Sequence, residues 1–225
     1  MPFQLSPGVN VSEIDLTTIV PAVGTTEGAF AGPFVWGPMN VVQSIGNEVE
    51  LVNIFGKPDA NTFKSFFTCA NFLSYARNLR VVRAASNTAA KNAVANGASG
   101  LLIQNRDDYE LNYHDLSAAN SYGMFAARYP GQLGNTLRVS MWASPNTVAY
   151  STWLYAKEFN GAPGTSAYVS NVNGANDEMH IIVIDEDGKF SGVANTVLEK
   201  FSYISKASDA KNDDGSSNYY VNVIN

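Results

Sequence analysis

Phe63, Phe66, Phe67, Ala70 and Leu73 recur at i, i+3, i+4, i+7 and i+10, the spacing of one face of an α-helix. They predict a helix over about 61–77, with Arg77 near its end suiting the helix dipole. A strand over 79–85 follows directly. Upstream, Ala29-Phe30-Ala31 and residues 41–45 read as short strands, bracketed by Gly32-Pro33 and Gly37-Pro38. Asn47 with Glu50 three residues later resembles a capping box and opens a short helix through Leu51, Val52 and Phe55. Gly56 supplies a left-handed stop and Pro58 confirms it. Residues 28–86 therefore read as a compact α/β unit.

Around this unit the period changes. Residues 1–27 are extended: Ser6-Pro7-Gly8 opens a turn, 9–12 alternates apolar with polar, and Thr17-Thr18-Ile19-Val20 is β-branched until Pro21 and Gly24 break it. This segment has no hairpin partner close in sequence, so its hydrogen bonds must be met by a sheet elsewhere, in this chain or another copy. Residues 87–116 are rich in Asn, Ala and Ser and read as a linker with one strand near Leu101-Leu102-Ile103, while their Ala content also allows a short helix. Residues 117–225 read as β-rich, with strands over 137–142, 147–155, 180–185, 197–204 and 219–224. Asp185-Glu186-Asp187-Gly188 and Asn212-Asp213-Asp214-Gly215 fall between strands as turns. The expected fold class is α+β: a small α/β unit, then a β-rich domain, with an extended N-terminal arm.

Composition and motifs narrow the chemistry. A net charge of −6 argues against a general basic field for nucleic acid or an anionic membrane. No apolar run approaches the ~20 residues of a membrane span. The opening residues lack the charged and apolar regions of a secretory signal. The single cysteine, Cys69, leaves no intrachain disulfide framework and reads as a small buried thiol. His180 begins an apolar strand and reads as a structural histidine, whereas His114 sits in a polar stretch and reads as a surface residue. Asp107, Asp108 and Glu110 read as a solvated acidic loop. The Asp185 turn lacks the ligand spacing of a calcium loop. No phosphate loop, nucleophile elbow or zinc spacing occurs, so neither an enzyme nor a cofactor is expected.

Several ordered motifs resemble those of contractile bacteriophage tail sheath proteins of the T4-like myoviruses. They are Ser6-Pro7-Gly8-Val9-x-Val11-x-Glu13; Gly28-Ala29-Phe30-Ala31-Gly32 with Trp36-Gly37-Pro38; and the run from Asn47-Glu48 through Phe55-Gly56-Lys57-Pro58. Asn71-Phe72-Leu73-x-Tyr75 with Leu79-Arg80-Val81-Val82-Arg83-Ala84, and Tyr129-Pro130-Gly131-x-Leu133-Gly134-Asn135, follow in the same order.

The resemblance implies a virion subunit, assembled in the host cytoplasm, that stacks as hexameric rings around a tail tube and contracts to drive the tube through the host envelope. Its partners would be other copies of itself, the tube protein, the baseplate and the tail terminator, with no nucleic acid and no membrane. Pro7, Gly8, Val9, Val11, Glu13, Ile14 and Leu16 would form an arm exchanged between subunits, with Gly24 and Thr25 as its hinge. Residues 87–116 would stand in place of an outer inserted domain. The family's C-terminal domain is not among these residues, which are expected to be an N-terminal portion. The sheath of a secretion system or bacteriocin, and a monomeric carbohydrate-binding β-module, are the alternative readings.

Overall fold

A computed structural model describes residues 26–95, 100–114 and 122–225. The arm residues Pro7 to Leu16 and the hinge residues Gly24 and Thr25 lie outside the described residues. The described chain has a mixed α+β fold built on two three-stranded sheets.

The first sheet comprises β1 (Glu27–Gly32), β2 (Val42–Ile45) and β3 (Asn78–Arg83) in the order β1-β3-β2. β1 runs parallel to β3 and β2 antiparallel to it. Helices α1 (Glu48–Phe55) and α2 (Phe63–Leu73) pack on one face. Along β3, Leu79, Val81 and Arg83 point to the helices, while Arg80 points away and pairs with Glu27 at 3.0 Å. Phe34, Ile45, Leu51, Phe55, Phe66, Cys69, Leu79 and Val81 form the core. Burying a side chain such as Leu51 or Phe55 completely contributes about 1.5–3 kcal/mol.

The expected cap on α1 is present: the Asn47 side chain accepts from the Glu50 N–H at 2.9 Å. The Glu50 carboxylate reaches back to the Gly46 N–H at 2.7 Å, one residue before the cap. Gly56, at φ 77, ends the helix.

α2 is shorter than its stripe predicts, and its stripe is rotated. Asp59 starts the turn by accepting from the Asn61 and Thr62 N–H groups and the Thr62 hydroxyl. The helix ends at Leu73, where Ser74 N–H bonds back to the Ala70 and Asn71 carbonyls, so Arg77 lies beyond the helix and does not meet its dipole. Phe66 and Cys69 face the sheet, whereas Phe63 and Phe67 are 45% and 51% exposed. The Phe72 ring sets this rotation: it fills the space over Gly28, where a Cβ would come within 2.5 Å of its Cζ.

The second sheet has the antiparallel order β4-β5-β6, from β4 (Leu137–Ala143), β5 (Glu178–Asp185) and β6 (Thr196–Ser205). Central β5 is almost entirely buried. Helix α5 (Tyr220–Ile224) packs Tyr220 and Ile224 against Met179, Ile181 and Ile204.

Three expected elements take other forms. Residues 147–155 make no strand; they hold a 3-10 turn at Tyr150–Thr152, and Trp153 stacks on His180 while Tyr150 meets it edge-on. Burying rings on the sheet's face prevails there over pairing at its edge. Within 219–224, Tyr219 bridges Ser205 and residues 220–224 form α5, which brings Tyr220 and Ile224, four apart, onto the core together. The stretch read as a linker contains helix α3 (Arg106–Asn112) and the buried Asn92, Leu101 and Ile103. The expected turns at Gly188 (φ 71) and Gly215 (φ 83) are in place.

Candidate functional site

Arg83 ends β3 on its buried face and is only 3% exposed. Its Nε donates to the Phe34 carbonyl at 3.0 Å, Nη1 to the Gly37 carbonyl at 2.7 Å and Nη2 to the Pro130 carbonyl at 2.7 Å. Among the described residues no carboxylate is paired with it; three backbone oxygens satisfy the cation, and burial pulls its pKa down to about 10. Only the planar guanidinium presents donors in this fixed fork.

The bonds join three separate stretches. The loop after β1 supplies Phe34 and Gly37, β3 supplies Arg83, and the turn before β4 supplies Pro130. The Gly131 N–H donates to the Lys91 carbonyl at 2.9 Å. At φ 140, a Cβ on Gly131 would lie 2.9 Å from the Val35 carbonyl oxygen, so this close approach requires glycine. Trp36 packs edge-to-face on Tyr129 and on Phe190, at 5.5 and 5.2 Å. Asn92 extends the joint through its side chain, donating to the Ile103 and Ala127 carbonyls and accepting from the Ile103 N–H. The first unit is thereby fastened to the second sheet.

This joint was not foreseen as one, although its parts stand in the motifs. The available signal was an arginine two residues beyond Val81 and four beyond Leu79, on the buried side of an alternating strand.

The residues tested for chemistry have structural partners. His180 is fully buried, its Nε2 2.8 Å from the Gly161 carbonyl and its Nδ1 3.1 Å from the Tyr203 N–H. Cys69 is buried in the first core, and burial pushes its thiol up to about 11. His114 is exposed and lies edge-on to Tyr109. Asp107, Asp108 and Glu110 are not a loop but lie on α3. Asn105 caps that helix by accepting from the Asp108 N–H, Asp108 accepts from the Gln104 N–H, and Glu110 pairs with Arg106 at 3.1 Å.

Asp185 organises its turn by accepting from the Lys189, Phe190 and Ser191 N–H groups and the Ser191 hydroxyl. Burial raises its pKa, but these four bonds outweigh it and hold the carboxyl below the usual value. Among the described residues no group of three or more His, Cys, Asp and Glu side chains converges on a metal position.

Four strands lie at the sheet edges: β1 and β2 in the first sheet, β4 and β6 in the second. β6 carries exposed Glu199 and Lys200, and its far end is tied down where the Ser205 N–H donates to the Asn218 carbonyl. β1 has no charge besides Glu27, and β4 exposes Val139 and Met141. These two edges lack the lysine, proline or bulge that discourages pairing with another strand.

Residues 28–84, which hold the first sheet with Arg83, match the family model described as the tail sheath protein Gp18 domain III N-terminal region. The chain is 31% identical over 196 residues to the tail sheath protein of Salmonella phage ViI, an alignment covering 87% of this chain and 28% of the relative. It is 44% identical over 89 residues to that of Enterobacteria phage T4, covering 40% of this chain and 14% of the relative. With that of Vibrio phage KVP40 it shares 35% over 127 residues, 53% of this chain and 19% of the relative. The chain thus spans less than a third of the length of these curated relatives. By its motifs, its matching domain and these relatives, the chain belongs to the contractile phage tail sheath family.

Proposed function

We propose that these residues are part of a structural subunit of a contractile tail sheath. In this reading, copies stack as hexameric rings around the tail tube within the virion, after assembly in the host cytoplasm. The sheath then contracts to drive the tube through the host envelope. The observation that carries the reading is the sheath-domain match over 28–84, the same residues that build the β1-β3-β2 unit and end near Arg83. A fastened unit of this kind suits a lattice, because force passed between copies must travel through each subunit without separating its parts. The tail tube, baseplate and tail terminator are the further partners, and no catalytic role is assigned.

The extended arm at residues 1–27 adds a strand to the sheet of a neighbouring copy. Pro7, Gly8, Val9, Val11, Glu13, Ile14 and Leu16 provide the strand, and Gly24 and Thr25 the hinge. Main-chain bonds of this kind hold while the subunits rotate, provided a flexible connection flanks the strand. Residues 28–86 act as one sheath domain, 117–225 as part of a second, and 87–116 stand where larger sheaths carry an outer domain.

Negative-stain microscopy of the complete gene product tests the reading. Tubes of stacked rings are expected. A product that sizes as a monomer at all concentrations would contradict it.

A further inference from the structure

One buried contact joins a titratable side chain to a strained backbone. In β6, Met179 pairs with Ile204 and Ile181 with Phe201, so Ser202 and Tyr203 together oppose the single residue His180. That is a β-bulge. Tyr203 sits at φ 54, a left-handed conformation that a bulky side chain adopts only when its surroundings enforce it. His180 contacts it directly. Its Nδ1 accepts the Tyr203 N–H at 3.1 Å, which places the ring proton on Nε2, donated to the Gly161 carbonyl at 2.8 Å. Phe159 stacks on the imidazole at 4.2 Å and 3°, and Tyr203 closes it edge-on at 4.6 Å.

We propose that His180 is an acid-sensitive latch on this bulge: with Nδ1 unprotonated it holds Tyr203 in the left-handed conformation, and protonation at Nδ1 releases it. A proton there sets two donors against each other and places a cation in a fully buried site. The release has a direction. The Tyr203 carbonyl accepts from Asn218 Nδ2, and the neighbouring Ser205 N–H donates to the Asn218 carbonyl. Loosening Tyr203 therefore loosens the docking of residues 217–224, including α5.

The groups around the ring favour the neutral form at pH 7. Burial lowers the pKa of His180, opposed by the Gly161 carbonyl and by Glu178 on its own strand. From the 150–161 segment come the neutral rings of Tyr150, Trp153 and Phe159. Of its two charged residues, Lys157 is exposed and Glu158 is paired with Lys200 of β6 at 3.3 Å. From β4 comes Trp142, in register with His180, and further along that strand Arg138 is paired with Glu186 at 3.2 Å.

NMR of the protein from pH 7.5 to 4.5, following the His180 imidazole and the Tyr203 amide, tests this. The Tyr203 amide is expected to lose about ten-fold in exchange protection, the worth of one hydrogen bond, with the same midpoint as His180. His114, the other histidine, lies outside this contact and serves as the reference signal. In His180→Asn, which keeps an acceptor but does not titrate, the Tyr203 response is expected to disappear. A Tyr203 amide indifferent to the His180 titration overturns the proposal, as does the same response in His180→Asn or a single global unfolding with no earlier local change. Should His180→Asn not fold, whether the Tyr203 amide follows the His180 midpoint in the unaltered protein decides the matter.

Discussion

Nη2 of Arg83 donates to the carbonyl of Pro130 across 2.7 Å and 47 residues of sequence. With the Phe34 and Gly37 carbonyls on the other two nitrogens, this makes the guanidinium a staple between the sheath-domain unit and the turn that starts β4. Replacing Arg83 by Met leaves three carbonyls without a donor in a buried place. The expected loss is about 3 kcal/mol or more of unfolding free energy. Arg83→Lys keeps the charge but not the fork, and is expected to fall between the two. Urea denaturation followed by tryptophan fluorescence measures both.

How far this was legible in the sequence depends on which force decided each element. The α1 cap could be read because Asn47 and Glu50 act within one turn. β1, β3, β4 and β5 were legible through alternation or apolar content. The rotation of α2 was not, because it depends on Phe72 finding Gly28, a residue distant in sequence and adjacent only in the fold. Residues 147–155 and 219–224 carry strand-like residues, but Trp153, Tyr150, Tyr220 and Ile224 are placed by rings and core residues of other elements. Arg83 stood in a motif, yet its three acceptors come from two loops whose paths local pattern does not specify.

Gly131→Ala tests the close approach beside the staple. At φ 140 a methyl group is strained and would meet the Val35 carbonyl oxygen at 2.9 Å. A loss of about 1–3 kcal/mol is expected. Gly215→Ala is the control, since at φ 83 its Cβ would have nothing within 4 Å and only the backbone strain remains. The difference between the two denaturation midpoints isolates the clash.

Acid should act through carboxylates that the fold holds ionised. For Asp185 and Asp177 burial raises the pKa, but bonds from Ser191, Phe190 and Lys189 in one case, and from Ser205 and Ser166 in the other, bring it below the ordinary carboxyl value. The unfolded chain therefore binds these protons first. The stabilisation is complete above the unfolded value and is lost as pH falls through the lower folded values. Stability measured against pH is expected to fall below about pH 4, the ordinary carboxylate range. Asp185→Asn should lower stability at pH 7 and flatten that acid slope, because its amide turns two donors toward the N–H groups that Asp185 now accepts.

Asn47 and Asn105 cap their helices in the same way, each accepting from the N–H three residues on while that residue's carboxylate reaches back one residue before the cap. Asn47→Ala is expected to cost about 1 kcal/mol, and Asn105→Ala more, because its Nδ2 also donates to the Met39 carbonyl at 3.0 Å. Their effects should add, since the two caps share no bonding partner. The double variant in the same denaturation assay checks the sum.

Under the proposed function, copies of this sheath subunit are joined by the arm. Its most direct test is deletion of residues 1–16 from the complete gene product, viewed by negative-stain microscopy beside the intact protein. Soluble, folded subunits that form no tubes are predicted. Sheaths of normal length from the deleted protein would contradict it.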